Sequence, residues 1–104
     1  MEGKIFTYEH HDGKMLAFIE LTCQTDFGAR TEMFKIFGTG LAMQLAARHQ
    51  EDEDARLNLG ALLESEWLFQ SDVPCTTEER MRKLSDVLGE DIGIGKFNII
   101  VLGE

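Results

Sequence analysis

Two short runs near the start of the chain are rich in β-branched and aromatic residues, KIFTYEH over 4–10 and MLAFIELT over 15–22. Runs of this length and composition predict strands. Between them stands His11-Asp12-Gly13-Lys14, whose Asp-Gly pair tolerates the positive φ angles of a tight reversal, so the two strands form an antiparallel hairpin. In the second strand Met15, Ala17, Ile19 and Leu21 share one face, and Leu16, Phe18, Glu20 and Thr22 share the other. The first, more apolar set is the expected core face.

The period then changes. Phe34, Phe37, Leu41, Ala42, Leu45 and Ala46 recur at spacings of three and four, which predicts a helix over about 31–48. Gly38 and Gly40 lie inside it at a cost of roughly 1 kcal/mol each relative to Ala, and mark a close packing contact or a kink. An acidic run at 51–54 suits a helix N-terminus; Leu59, Leu62 and Leu63 beyond it line one side of a short helix. The stretch QSDVPC, with the chain's single Pro, reads as a loop or edge segment. Thr76 followed by Glu79 forms a capping box, and Met81, Leu84, Val87 and Leu88 continue at helical spacing until Gly89, giving a helix over about 77–88. From Ile92 to Leu102, Ile92, Ile94, Lys96, Asn98, Ile100 and Leu102 alternate with Phe97, Ile99 and Val101 as a long final strand. The expected architecture is α+β: a three-stranded, mainly antiparallel sheet in the order β-β-α-α-α-β, with helices packed on one face. The whole of 1–104 reads as one domain without repeats, linkers or low-complexity segments.

Charge narrows the choice of partner. Ten Lys and Arg stand against nineteen Asp and Glu, a net charge of −9. Nucleic acids and anionic membranes reward clustered cations, so neither is expected as a partner; a basic or neutral protein is. No apolar stretch approaches a membrane span and no secretory leader follows Met1, so the expected location is cytoplasmic. Cys23 and Cys75 belong to no metal-ligand spacing and read as reduced thiols.

Most candidate chemistry dissolves on inspection. His10 and His11, if both lie on a strand, point to opposite faces and cannot grip one metal. His49 closes the long helix, where a protonated imidazole meets the negative pole. GEDIGIGK ends in Gly95-Lys96, but Glu90 stands where a phosphate loop needs Gly and Phe97 where it needs Ser or Thr. The acidic run lacks the spaced ligands and central Gly of an EF-hand. Cys23 reads as a small buried hydrophobe rather than a nucleophile. No cofactor or metal is implied.

What remains is Cys23-Gln24-Thr25-Asp26-Phe27-Gly28-Ala29-Arg30, joining the hairpin to the long helix. By residue type alone, Thr25 or Asp26 caps the helix and Phe27 tucks into the core. A different role emerges from ELTCQTDFGARTEMF as a whole. It resembles the signature stretch of the translation elongation factor Ts family, E-x-N-C-x-T-D-F-V-A-[RK]-x-x-x-F. The likeness extends upstream through EGKIFTYEHHDGKMLAFIEL, downstream through LAMQLAA, and returns in TEERMRKLSDVLGEDIGIGKF, covering about three-quarters of the chain and aligning only loosely over 51–75.

The resemblance implies a guanine-nucleotide exchange factor that binds elongation factor Tu or a related translation GTPase. In that family the Thr-Asp-Phe turn reaches the partner's G domain beside its magnesium and phosphate site. Carried over, Thr25, Asp26 and Phe27 become the working turn, with Phe27 as an aromatic wedge, Gly28 beside it, and Arg30 available to an acidic partner group. Exchange then follows from linkage, without covalent catalysis. A binding or assembly module that uses the same surface without exchange is the alternative. Two departures stand out: the chain resembles a single core half, which a homodimer would complete, and Gly28 replaces the family's usual Val, removing an apolar contact and loosening the backbone after Phe27.

Overall fold

A computed structural model describes residues 1–51, 58–69, 71 and 73–103, with nothing described of the side chains of residues 50 and 51. Among the described residues three strands and four helices follow in the order β1 (Glu2–Glu9), β2 (Met15–Cys23), α1 (Asp26–Ala29), α2 (Glu32–Glu51), α3 (Leu59–Glu64), α4 (Thr77–Leu88) and β3 (Gly93–Val101). The sheet runs β1-β2-β3, antiparallel throughout. The hairpin forms with Tyr8 opposite Ala17 and Phe6 opposite Ile19.

The alternation of β2 sorts its residues as the pattern requires. Ala17, Ile19, Leu21 and Cys23 are buried beneath the helices, while Leu16, Phe18, Glu20 and Thr22 face the other way and are only partly covered. Helix α2 lies across the sheet and buries Phe34, Phe37, Leu41 and Leu45 completely. Each such side chain contributes roughly 1.5–3 kcal/mol relative to exposure. The two interior glycines of α2 are packing contacts. A β-carbon at Gly38 would fall 2.1 Å from the Phe6 ring of β1, and one at Gly40 would fall 3.0 Å from the Trp67 indole. At Gly38 the helix lies closer to its aromatic neighbour than a side chain allows without a shift, and at Gly40 the approach is tight.

β3 departs from simple alternation. Ile19 pairs with Phe97, yet Leu21 pairs with Ile94, so β3 carries an extra residue opposite Glu20. Glu20 closes this bulge by accepting the Lys96 N–H at 2.6 Å, and a β-carbon at Gly95 would overlap its carboxylate. The bulge shifts the phase, so Ile94 joins Phe97, Ile99 and Val101 against the core instead of alternating with them.

A polar knot anchors the segment between α2 and α4. The Gln44 amide, buried in α2, donates to Ser65 Oγ at 3.0 Å and to the Glu66 carbonyl at 2.6 Å, and accepts the Leu68 N–H at 3.2 Å. Thr77 completes it by donating its backbone N–H, at 2.8 Å, to the Ser65 carbonyl. Trp67 is thereby held against Phe37, with ring centroids 5.1 Å apart. Helix α4 begins with the expected capping box: Thr76 Oγ1 accepts the Glu79 N–H at 3.1 Å and the Glu79 carboxylate accepts the Thr76 N–H at 2.9 Å. Gly89 ends it in the left-handed region, at φ 70°. The acidic run expected to open a helix lies, beyond Glu51, outside the described residues.

β1 stops at Glu9, so His10 and His11 are not on a strand, and their rings lie 4.3 Å apart rather than on opposite faces. Among the described residues no three His, Cys, Asp or Glu side chains gather as a metal site, and no helix is long and apolar enough to cross a membrane.

Candidate functional site

The segment linking β2 to α2 is a single turn of helix of its own. Thr25 is extended, at φ −127° and ψ 153°, and its Oγ1 accepts the Gly28 N–H at 3.1 Å. It is therefore Thr25, not Asp26, that caps the turn. The chain leaves α1 through Arg30, and Thr31 opens α2 by accepting the Phe34 N–H at 3.3 Å.

This arrangement projects residues 25–27 into solvent. Phe27 is 75% exposed, which overturns the core role that its residue type suggests. Asp26 and Arg30 are also exposed and pair with each other at 2.9 Å, one helical turn apart. A solvent-facing pair of this kind is worth little, so either member is available to a partner. Gly28 and Ala29 lie on the buried side of the turn. The five expected residues thus divide into an outer group, Thr25, Asp26, Phe27 and Arg30, and a buried Gly28 beneath it.

One further residue, outside the Thr-Asp-Phe turn, holds the turn from across the fold. Glu90, just beyond the Gly89 cap of α4, reaches back across the fold to the turn. Its Oε1 accepts the N–H groups of both Gln24 and Thr25 at 2.9 Å, and its Oε2 accepts the Thr25 hydroxyl at 2.6 Å. The Gln24 side chain returns the contact by accepting the Asp91 N–H at 2.9 Å. The Thr25 hydroxyl, followed by its backbone N–H and that of Gln24, holds the Glu90 carboxyl below its ordinary pKa. Only the sixty-odd residues separating Glu90 from the turn hid it; it lies within the stretch that resembles the family near the C-terminus.

Gly28 has a different meaning from the loosening expected of it. A β-carbon there would lie 2.6 Å and 2.7 Å from the two Glu90 carboxylate oxygens. The missing side chain is the space that the carboxylate occupies. Cys23, buried at the end of β2, donates its S–H to the Thr25 carbonyl at 3.2 Å. Burial, reinforced by the nearby Glu90 charge, pushes its thiol pKa up. That is the opposite of nucleophile activation.

Comparison with known proteins agrees with the motif. No family model matches the chain. Among curated proteins, "Elongation factor Ts" of Solidesulfovibrio magneticus is 30% identical over 142 aligned positions, covering 99% of this chain and 70% of that protein. The chain belongs to the elongation factor Ts family. "Elongation factor Ts" of Fervidobacterium nodosum is 34% identical over 83 residues, 80% of this chain but 34% of that protein. "Elongation factor Ts, chloroplastic" of Rhodomonas salina is 29% identical, across 99% of this chain and 64% of its own length.

This elongation factor Ts family member therefore spans from 34% to 70% of the lengths of the relatives named above. Alignments longer than its 104 residues mean that the relatives carry segments with no counterpart here. Its α+β fold, open antiparallel sheet and Thr-Asp-Phe turn are the core that the resemblance implies.

Proposed function

We propose that this chain binds elongation factor Tu, or a closely related translation GTPase, through the Thr25–Phe27 turn and promotes GDP release. The observation that supports this most is Phe27: an aromatic side chain 75% exposed at the tip of a turn whose backbone is hydrogen-bonded at both ends. Solvent does not favour that placement, whereas a rigidly presented aromatic is the kind of anchor that dominates protein interfaces. Asp26 brings a carboxylate beside the wedge, and Arg30 supplies a cation one turn along. A net charge of −9 suits a partner with basic or neutral surface.

The mechanism is differential binding. Phe27 wedged against the partner's nucleotide site, with the Asp26 charge nearby, fits an opened site better than the compact one that encloses GDP and magnesium. Because linkage is reciprocal, the factor by which this chain prefers the nucleotide-free partner equals the factor by which it weakens GDP affinity. No bond to substrate is made or broken.

The test is equilibrium binding to elongation factor Tu in its GDP-bound and nucleotide-free forms. Exchange requires tighter binding to the nucleotide-free form, with the preference diminished in Phe27→Ala. Equal affinity for both forms would instead assign the chain as a holding module without exchange activity, since a ligand that binds two states equally shifts neither.

A further inference from the structure

We propose that Glu90 is the positioning residue of the exchange surface: its carboxylate, seated in the space left by Gly28, holds the Thr25–Phe27 turn in its binding orientation. The inference rests on the exchange reading above and adds to it a residue outside the Thr-Asp-Phe motif.

The turn cannot fix itself. α1 has four residues, and a single helical turn restricts several dihedral angles for very few hydrogen bonds, so alone it would not persist. Beyond Thr25 the exposed residues that would meet a partner offer little restraint, because Phe27 is in solvent and Asp26 pairs with Arg30 one turn along. Buried Ala29 anchors the C-terminal end of the turn in the core, and the restraint on its N-terminal end comes from Glu90, two residues past α4. Two backbone N–H groups and one hydroxyl converge on a single carboxylate, and all three lie within the two residues immediately before Asp26. The carboxylate is itself placed from behind, because Ser85 donates its hydroxyl to the Glu90 carbonyl and Gly89 turns the chain out of α4. Charge-assisted bonds of this kind are the strong class, and their number fixes direction as well as position.

Gly28 is the other half of the device. It is not one of the positive-φ glycines, so an alanine there is compatible with the backbone. What Ala excludes is the carboxylate, the end of a flexible side chain, which would swing away and give up its hydrogen bonds to Gln24 and Thr25. Gly28→Ala thus releases the turn while leaving Glu90 present, and so separates Glu90 as a support from Glu90 as a direct contact.

Without the clamp the turn samples orientations of which only a fraction can bind. Apparent affinity falls by that fraction, while the complex, once formed, is the same. In GDP-release assays on elongation factor Tu, Glu90→Ala should raise the half-saturating concentration about tenfold and leave the saturating rate unchanged. Glu90→Gln, which keeps an acceptor for the two N–H groups, should fall between. Gly28→Ala should reproduce the Glu90→Ala effect, and the double variant should be no worse than either alone. A lowered saturating rate, or additive effects of the two substitutions, would make Glu90 a group that touches the partner and overturn the positioning role.

The free protein gives an independent readout. In NMR spectra the Gln24 and Thr25 amide protons should titrate together with the Glu90 carboxylate, and both should lose that response in Gly28→Ala. Amides that ignore Glu90 refute the clamp even if exchange proceeds. Titrating amides combined with a wild-type chain that never accelerates GDP release refute the exchange reading and leave the clamp standing.

Discussion

Replacing Gln44 by Leu removes the amide that ties α2 to the chain between α3 and α4, at nearly constant volume. Three hydrogen bonds are lost. Their consequences are unequal. Ser65 Oγ keeps its bonds to the Leu62 carbonyl and Thr77, so it loses little. The Glu66 carbonyl and the Leu68 N–H each lose their bond to Gln44, and a partly buried backbone group left without a partner costs roughly 1–3 kcal/mol. Leucine's extra apolar burial offsets some of this, leaving a net loss of roughly 2–4 kcal/mol. For a domain of this size that lowers Tm by about 10–25 °C, measurable by calorimetry. Hydrogen exchange should localise the change, with the Leu68 amide among the most accelerated. A loss below about 1 kcal/mol, or an unchanged Leu68 amide, would refute the reasoning and make the knot incidental to stability.

Other outcomes follow from the same structure. Thr76→Ala removes half of the capping box and should lower stability by about 1 kcal/mol in urea titrations, with the loss confined to α4 in hydrogen exchange. Phe27→Ala should leave the urea midpoint within about 0.5 kcal/mol of wild type because the ring is exposed, so any functional loss in that variant is not a folding defect. Glu79 and Glu90 have folded pKa values below their ordinary 4.5, held down chiefly by hydrogen bonds from Thr76 and Thr25 respectively. The unfolded chain therefore takes up protons first on acidification. The stabilisation from these carboxylates is complete above that ordinary value and disappears as pH falls through the folded values, so the urea midpoint should drop across that window and drop less in Glu90→Gln.

Much of the fold was written locally. The hairpin reversal, the two faces of β2, the apolar stripe of α2 and the capping box of α4 each depend on residues within a few positions of one another and each forms, although at the reversal Gly13 alone takes a positive φ. What escaped depends on distance along the chain or on tertiary space. The bulge at Gly95 arises because Glu20 meets the Lys96 amide across strands; the only local trace is that the apolar phase of the last strand switches between Ile94 and Phe97. Gln44 looks like a polar interruption of an apolar face until the Ser65–Leu68 backbone arrives beside it. Phe27 defies its residue type, and only the motif resemblance marked it as a surface residue. In the sequence Glu90 falls in the Gly-Glu step of the stretch that resembles the family near the C-terminus, but nothing local points to its partners, which lie 65 and 66 positions upstream. Residue type at Gly28 suggests a lost apolar contact and a looser backbone, whereas its contribution is room for that carboxylate.

The most direct test of the central claim is the rate at which elongation factor Tu releases a fluorescent GDP analogue as this protein is added, with Phe27→Ala run in parallel. Acceleration should saturate with concentration, and Phe27→Ala should remain folded yet lose at least about 2 kcal/mol of the interaction, roughly a thirtyfold weakening. Release that stays at its intrinsic rate at every concentration of wild-type protein, or acceleration that is the same for Phe27→Ala, would contradict it.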